Sequence, residues 1–206
     1  MAIVLQNVSA IIFDLGAVII NINPSLAHKA FENLGVSQID KQFTISHQEG
    51  VFKDFEIGKI TVAEFRDSFR QFITTPVSDA EIDAAWNAMI LDIPPHRIEL
   101  LKELNNKYNT YLLSNTNAIH TQFIFDYLQK TYGLKNLNPL FNKCYYSQDI
   151  GMRKPNAEAF EYVLNTHNLN PTKTLFLDDN ADNINAAKAL GIQAVLVKED
   201  IANYFA

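Results

Sequence analysis

The sequence has little of what marks several large classes of protein. Its 206 residues include one cysteine, Cys144, so an intramolecular disulfide is excluded. Cys144 stands beside two tyrosines in an apolar stretch, and we interpret it as a small core residue rather than a reactive thiol. Lys and Arg number 17 against 23 Asp and Glu, which gives a formal net charge of -6. Because nucleic-acid binding requires a basic surface, this balance argues against a nucleic-acid partner.

Long hydrophobic runs are also missing. No apolar run reaches the length that spans a bilayer, which argues against a membrane partner. The N-terminal stretch MAIVLQNVSA lacks the basic start and the long apolar core of a secretory signal. Hydrophobic residues nevertheless make up 48% of the chain, enough to bury a sizeable core. We therefore expect a folded cytoplasmic protein, and nothing in the pattern indicates an oligomeric state.

Short apolar runs alternate with amphipathic stretches along most of the chain. The runs predicted as strands cover residues 9–14, 110–114, 143–147, 174–178 and 193–197. Stretches between them, such as NAIHTQFIFDYLQKTYG, carry apolar residues at helical spacing, and this one ends in Gly133, a residue type common at helix ends. Strands that alternate with helices predict an α/β fold, with a Rossmann-like parallel sheet flanked by helices on both faces.

Residues 22–93 break this alternation, because they show helical patterns and no clear strand. One predicted helix covers residues 37–50, and two others begin at capping boxes, in which Ser or Thr is followed three residues later by Glu. The boxes are Thr61 with Glu64 and Ser78 with Glu81. We therefore predict a core domain of residues 1–21 and 94–206, with an all-α cap domain of residues 22–93 inserted after the first strand. Such an insert lies above the carboxyl ends of the strands, where open α/β sheets bind ligands.

Polar residues follow four of the five predicted strands. They are Asp14 after the first strand, Ser114 and Asn115 at the second, Lys154 after the third, and Asp178 and Asp179 at the fourth. If the strands are parallel neighbours, these groups gather at one edge of the sheet. Carboxylates can hold a hard cation such as Mg²⁺, and the hydroxyl, amide and ammonium groups can hold phosphate oxygens.

These residues stand in four motifs, FDLGAV, LLSNTN, GMRKPNAEAF and LFLDDNADNINAA. Their content and order resemble the four motifs of the haloacid dehalogenase (HAD) superfamily, over nearly the whole chain. The longer strings SQDIGMRKP and DDNADNI are similar to a narrower branch that includes bacterial glucose-1-phosphate phosphatases. The resemblance implies a Mg²⁺-dependent phosphatase whose partner is a small phosphorylated substrate, such as a sugar phosphate.

The resemblance also implies roles in phosphoryl transfer. Asp14 would be the nucleophile that attacks phosphorus and forms an aspartyl phosphate. Ser114 and the amide of Asn115 would bind the oxygens of the transferring group, and Lys154 would neutralise charge on Asp14 and on the phosphate. This chemistry depends on charge compensation and on in-line placement of the reacting groups.

The same resemblance implies a metal site. Asp179 would bind Mg²⁺ together with a carboxylate oxygen of Asp14 and the backbone carbonyl of Gly16. Asp178 would support the site, either as a ligand through water or as an acceptor behind the ligands. Asp182, Asn183 and Arg153 are interpreted as helix-capping or structural residues outside the site.

One acid of the family pattern is missing. Most phosphatases of this superfamily carry a second Asp two residues after the nucleophile, where it protonates the leaving oxygen, but here that position is Gly16. General acid–base help is typically worth about 10²–10⁴-fold, so its loss should slow the reaction without abolishing it. A sugar 1-phosphate has a comparatively acidic hemiacetal leaving group and depends less on protonation, which agrees with the narrower resemblance. His120 could shuttle the proton, or it could cap and pack a helix.

Two other functions compete with the phosphatase. In a metal-independent 2-haloacid dehalogenase Asp14 would attack carbon, but the pair Asp178 and Asp179 favours the phosphatase. Loss of the second Asp could instead mark a non-catalytic binding domain, which the intact Asp14, Lys154 and Asp179 argue against. Substrate specificity is expected to lie in the helical insert.

Overall fold

A single parallel sheet forms the centre of the molecule, which we describe from a computed structural model covering residues 5–36, 50–73 and 75–205. Its strands are β1 (Ala10–Phe13), β2 (Asn109–Ser114), β3 (Lys143–Tyr146), β4 (Thr174–Asp178) and β5 (Gln193–Leu196). The strand order is β3-β2-β1-β4-β5, and every neighbouring pair is parallel. The predicted parallel sheet is therefore confirmed, and each strand lies within one residue of its predicted bounds.

Helices connect and cover the strands. Those in the described residues are α1 (Pro24–Asn33), α2 (Val51–Glu56), α3 (Val62–Arg70), α4 (Asp79–Asn87), α5 (Pro95–Asn105), α6 (Ala118–Tyr132), α7 (Ser147–Ile150), α8 (Ala157–Thr166) and α9 (Ala181–Ala189). Ile11 and Phe13 of β1 pack on one face of the sheet with side chains from α5 and α6. Ala10 and Ile12 pack on the opposite face with side chains from α8 and α9. Because both faces are covered, β1 is an uninterrupted apolar strand rather than an alternating one.

Helix ends follow the signals in the sequence. Both predicted capping boxes form. The side chains of Thr61 and Ser78 accept hydrogen bonds from the backbone amides of Glu64 and Glu81, and the side chains of these glutamates accept from the backbone amides of Thr61 and Ser78. Helix α6 ends at Gly133, which adopts a left-handed φ of 69°, as its residue type predicted.

Residues 22–93 contribute α1 to α4 within the part of the chain that the structure describes. These helices pack around their own aromatic cluster, in which the ring of Phe31 stacks on Phe69 at 4.2 Å and that of Phe55 on Phe65 at 4.1 Å. The helix predicted over 37–50 lies outside the described residues except for Gly50. The cluster is separate from the two that flank the sheet, although it also includes Ile119 of α6. The cap domain of residues 22–93 remains a prediction.

The two chain segments that join this insert to the core are paired with each other. Asn21 donates its amide to the carbonyl of Asp92 at 2.8 Å, and Leu91 donates to the carbonyl of Asn21 at 2.9 Å. An antiparallel bridge joins Ile22 to Ile90. The beginning and the end of the predicted insert therefore lie side by side.

Two expectations concern the role of Cys144 and the presence of membrane-spanning helices. Cys144 is buried in β3, and this burial raises the pKa of its thiol to about 12, as expected for a core residue and not for a reactive one. In the described ranges no helix has both the length and the apolar character needed to cross a bilayer.

Candidate active site

The acidic residues of two motifs meet where β1 and β4 end side by side. Asp14 directly follows β1, and its amide donates to the carbonyl of Leu177 at 2.9 Å. Asp178 is the last residue of β4, and Asp179 follows it. Each of the three aspartates offers a carboxylate oxygen, and these oxygens lie within 4.8 Å of one another. The topology thus brings together groups more than 160 positions apart in the sequence.

Lys154 enters this cluster from the loop after β3. Its side chain is 1% exposed, and its Nζ donates to Oδ1 of Asp14 at 2.5 Å and to Oδ2 of Asp178 at 2.7 Å. An ammonium group can be buried this deeply only when its charge is compensated, and here two carboxylates supply the compensation.

Electrostatics show that negative charge is still in excess at the site. Burial raises the pKa of Asp14 to about 7, and the charges of Asp178 and Asp179 add to the rise although Lys154 opposes it. Burial alone would lower the pKa of Lys154, but the charges of Asp14 and Asp178 outweigh it and raise that pKa. Burial and the neighbouring Asp178 also raise the pKa of Asp179. Three acids therefore share one lysine.

This imbalance gives a physical test of whether a divalent cation suits the site. A bound cation would supply the missing positive charge, and carboxylate oxygens are the ligands that a hard ion such as Mg²⁺ prefers. The three clustered acids form an all-oxygen donor set, to which the family resemblance adds the carbonyl of Gly16. The residues present therefore fit Mg²⁺ better than a softer metal, which would favour His or Cys ligands.

Ser114 ends β2, the neighbour of β1 on its other side, and Asn115 follows it. Ser114 is 2% exposed. The side chain of Asn115 binds the backbone of Lys154 twice: its Nδ2 donates to the Lys154 carbonyl at 2.8 Å, and its Oδ1 accepts from the Lys154 amide at 2.9 Å. The Asn115 side chain therefore holds the loop that carries Lys154.

Comparison with known proteins now identifies the family. The model of haloacid dehalogenase-like hydrolases matches residues 8–191, which include all four motifs. The chain belongs to this family.

Relatives in this hydrolase family match most of the chain. A D-ribitol-5-phosphate phosphatase from Bacteroides thetaiotaomicron is 32% identical over 183 residues, which are 89% of this chain and 88% of the relative. The sesquiterpene phosphatase astK of Aspergillus oryzae is 27% identical, over 94% of this chain and 91% of the relative. Among solved structures, wild-type HAD family enzyme bt-2542 of Bacteroides thetaiotaomicron, in complex with magnesium and inorganic phosphate, has a TM-score of 0.86 and 36% identity. The match covers 97% of this chain and 100% of the chain of bt-2542.

Asn183 is a residue of the site that the sequence analysis placed outside it. It is buried near the start of α9, and its Nδ2 lies 3.0 Å from both carboxylate oxygens of Asp178. The Asn180 amide also donates to Asp178, at 2.8 Å. Asp178 is therefore held by its neighbours and presents one oxygen to Lys154. The signal that could have found Asn183 is its place in the first turn of α9, shortly after Asp178 and Asp179 in the chain.

His120 takes part in a packing network with Trp86 and Asn117. Its Nε2 donates to the carbonyl of Trp86 at 3.2 Å, its Nδ1 accepts from Asn117 at 3.2 Å, and its ring stacks on Trp86 at 4.7 Å. Burial lowers the pKa of His120 to about 4, so the ring stays neutral near pH 7. Of the two roles considered for this histidine, the structure favours packing.

Gly16 lies in the turn that follows Asp14. A Cβ added to it would lie 3.4 Å from Cδ1 of Ile22, an ordinary contact with the end of a flexible side chain. The next residue, Ala17, adopts a left-handed φ of 56°, so the chain turns sharply here. Nothing in the local packing therefore requires glycine at position 16, and the absence of the acid is a chemical feature of the site.

Proposed function

We propose that this hydrolase is a Mg²⁺-dependent phosphatase of small phosphorylated polyols or sugars, acting through an aspartyl phosphate on Asp14. The observation that carries the proposal is the cluster of buried Asp14 and Asp178 with exposed Asp179, in which Lys154 lies between the two buried acids. The relatives that are phosphatases, and the solved relative that holds magnesium and phosphate, support the same chemistry.

In the proposed reaction a carboxylate oxygen of Asp14 attacks phosphorus, and the bond between phosphorus and the ester oxygen breaks. The leaving alcohol takes its proton from solvent, because no acid stands at position 16. Water then attacks the aspartyl phosphate, which releases inorganic phosphate and restores Asp14. Lys154, Ser114 and the amide of Asn115 would stabilise the negative oxygens of the transferring group.

Asp14, Asp178, Asp179 and the carbonyl of Gly16 are the groups that would hold a magnesium ion. When bound, it would neutralise charge on the nucleophile and on the phosphate, so that two anions can approach. Asp14, with a pKa raised to about 7 by burial, would then be fully ionised at neutral pH.

Two observations bear on the leaving group. The relative that acts on D-ribitol 5-phosphate supports a polyol phosphate, which has a primary alcohol as its leaving group. Gly16 supports instead an ester with a more acidic leaving group, such as glucose 1-phosphate. We propose that residues 22–93 act as a cap over the site and supply the contacts that choose between such substrates.

The test is hydrolysis of p-nitrophenyl phosphate with Mg²⁺ and then with EDTA, followed by a panel of ribitol 5-phosphate, glucose 1-phosphate and glycerol phosphate. We expect activity that needs Mg²⁺ and that Asp14→Asn removes on every ester, since the variant lacks the nucleophile. Near-normal turnover by Asp14→Asn would refute the covalent route. Release of chloride from 2-chloropropionate in EDTA, without phosphatase activity, would favour the dehalogenase instead.

A further inference from the structure

The insert touches the core at a second place, away from its two linkers and close to the loop that carries Lys154. Gly58 follows α2 and has a left-handed φ of 68°. A Cβ at this position would lie 2.4 Å from the carbonyl oxygen of Gln148 in α7, closer than any side chain allows. The backbone of the insert therefore packs directly on the backbone of the core at this point, which only glycine permits.

An ion pair lies beside this backbone contact. Glu56, the last residue of α2, places its Oε2 3.0 Å from Nε of Arg153, and the two side chains are 13% and 17% exposed. Burial raises the pKa of Glu56, and the charge of Arg153 acts most strongly against that rise. The charge of Lys154 acts in the same direction, so Glu56 lies within the field of the lysine as well.

Arg153 directly precedes Lys154 in a short, hydrogen-bonded loop. The Lys154 amide donates to Asn115, the Gly151 amide to the Ser147 carbonyl at 2.9 Å, and the Asn156 amide to the Arg153 carbonyl at 3.1 Å. A shift of the Arg153 side chain therefore acts on the residue next to Lys154, whose backbone sets the position of the Lys154 ammonium.

We propose that Glu56 and Arg153 are positioning residues, through which docking of the insert holds the loop that places Lys154 between Asp14 and Asp178. The inference rests on the proposed function for its effect on turnover, whereas the ordering of the loop is a property of the fold. In this arrangement the core holds Lys154 from one side through Asn115, and the insert holds it from the other through Glu56.

A charged contact suits this role because a buried ion pair holds its two side chains in one specific arrangement. Removing one partner leaves the other charge buried without compensation, which costs far more than the loss of an exposed pair. The contact should therefore be strong only when Glu56 and Arg153 meet in one geometry, with Gly58 seated on Gln148. An apolar contact of the same area would tolerate many positions of the loop.

The test compares Glu56→Gln, Arg153→Met and the double variant with Asp83→Asn. Asp83 is a matched control because it pairs with Arg66 at 2.6 Å, is similarly covered, and lies wholly within the insert. For each variant we would measure kcat and KM on p-nitrophenyl phosphate with Mg²⁺, the Tm, and hydrogen–deuterium exchange of the peptide covering 147–156.

We expect Glu56→Gln and Arg153→Met each to lower kcat about tenfold, to change KM less than twofold and to speed exchange in 147–156. The double variant should be no worse than Arg153→Met, because both changes remove one interaction, and Arg153→Lys should recover part of kcat. Asp83→Asn should lower Tm by as much as Glu56→Gln does, while kcat and exchange in 147–156 stay as in the wild type.

Three results would overturn the inference. The first is exchange in 147–156 that Glu56→Gln leaves unchanged, which is readable even if the wild type hydrolyses no ester and the proposed function fails. The second is additive loss of kcat in the double variant. The third is an effect confined to KM and larger for ribitol 5-phosphate than for p-nitrophenyl phosphate, which would make Glu56 a substrate contact.

Discussion

At the scale of single residues, Gly16 leaves the proposed reaction without a general acid two residues after the nucleophile. We predict that Gly16→Asp raises kcat on glycerol phosphate by at least about tenfold relative to p-nitrophenyl phosphate. The reason is that a general acid matters most for a poor leaving group, and a Cβ at position 16 would meet only the end of the Ile22 side chain. The measurement is the ratio of the two kcat values in the wild type and in the variant.

Gly16→Asn is the matched control, because its amide has the same size as the carboxyl group but cannot donate a proton as an acid does. We expect it to leave the ratio unchanged. If the wild type already hydrolyses glycerol phosphate as fast as glucose 1-phosphate, another group supplies the proton. His120, whose two ring nitrogens are engaged, would then be a poor candidate.

Asn115 is a second residue whose role depends on its exact contacts. We predict that Asn115→Ala lowers kcat about tenfold, because it removes both hydrogen bonds that hold the Lys154 backbone. Asn115→Asp should be at least as damaging, since it sets a carboxylate oxygen against the Lys154 carbonyl. The measurement is kcat on p-nitrophenyl phosphate for both variants.

Asn142 provides the comparison at the opposite end of β2, where its Oδ1 accepts from the Thr110 amide at 2.8 Å. Asn142→Ala should cost about 1 kcal/mol of stability, the typical net value of one hydrogen bond, and leave kcat unchanged. Equal kcat in Asn115→Ala and the wild type would show that the Lys154 loop needs no such support.

At the scale of elements, the sequence was most informative where a local pattern decides the outcome. The strands were predicted within one residue because each is a short apolar run bounded by polar residues. Capping boxes marked the starts of α3 and α4 because they act within four residues. The meeting of Asp14 with Asp178 also followed, since adjacent parallel strands end at one edge.

Contacts between distant elements were beyond a local pattern. Asn183 looked like a helix-cap residue, and its bond to Asp178 depends on how α9 packs against β4. The pairing of Glu56 with Arg153 joins residues almost a hundred positions apart, and no periodicity links them. Such pairs follow from the packing of whole elements, which composition and spacing do not determine.

The contact between α4 and α6 leads to a prediction on pH. The pKa of His120 is lowered to about 4 in the fold against an ordinary value of 6.5, so the unfolded chain binds the proton more readily. The stability that comes from the neutral, buried ring is full above pH 6.5 and is lost as the pH falls toward 4. Between pH 7.5 and pH 5 the loss is about 2 kcal/mol.

His120→Gln cannot titrate, so we expect its stability to fall by about 2 kcal/mol less than that of the wild type over this range. The measurement is urea unfolding at pH 7.5 and pH 5. Parallel pH dependences for His120→Gln and the wild type would contradict a neutral, buried His120.

At the scale of the whole molecule, negative charge is concentrated at the site where we propose that a negatively charged substrate binds. Its net charge is -6, and three acids surround the single lysine of the site. Such a cluster destabilises the fold in the absence of a cation, because the raised pKa of Asp179 means that its charged form is disfavoured there. Stability and function are therefore opposed at this site.

This opposition predicts two changes of opposite sign in Asp179→Asn. Without metal at pH 7.5 the variant should have a higher Tm than the wild type, because it removes one of the clustered charges. Since a protonated Asp179 is also neutral, this advantage should shrink as the pH falls. With Mg²⁺ the order should reverse: a ligand at 100 times its Kd stabilises the fold by about 2.7 kcal/mol, and the variant lacks the ligand residue.

Asp182→Asn, an exposed neighbour, should keep the wild-type Tm and its shift with Mg²⁺. Thermal unfolding with EDTA and with Mg²⁺ measures all of these values. An equal Mg²⁺ shift in Asp179→Asn and the wild type would place the cation elsewhere, whatever the activity of either protein.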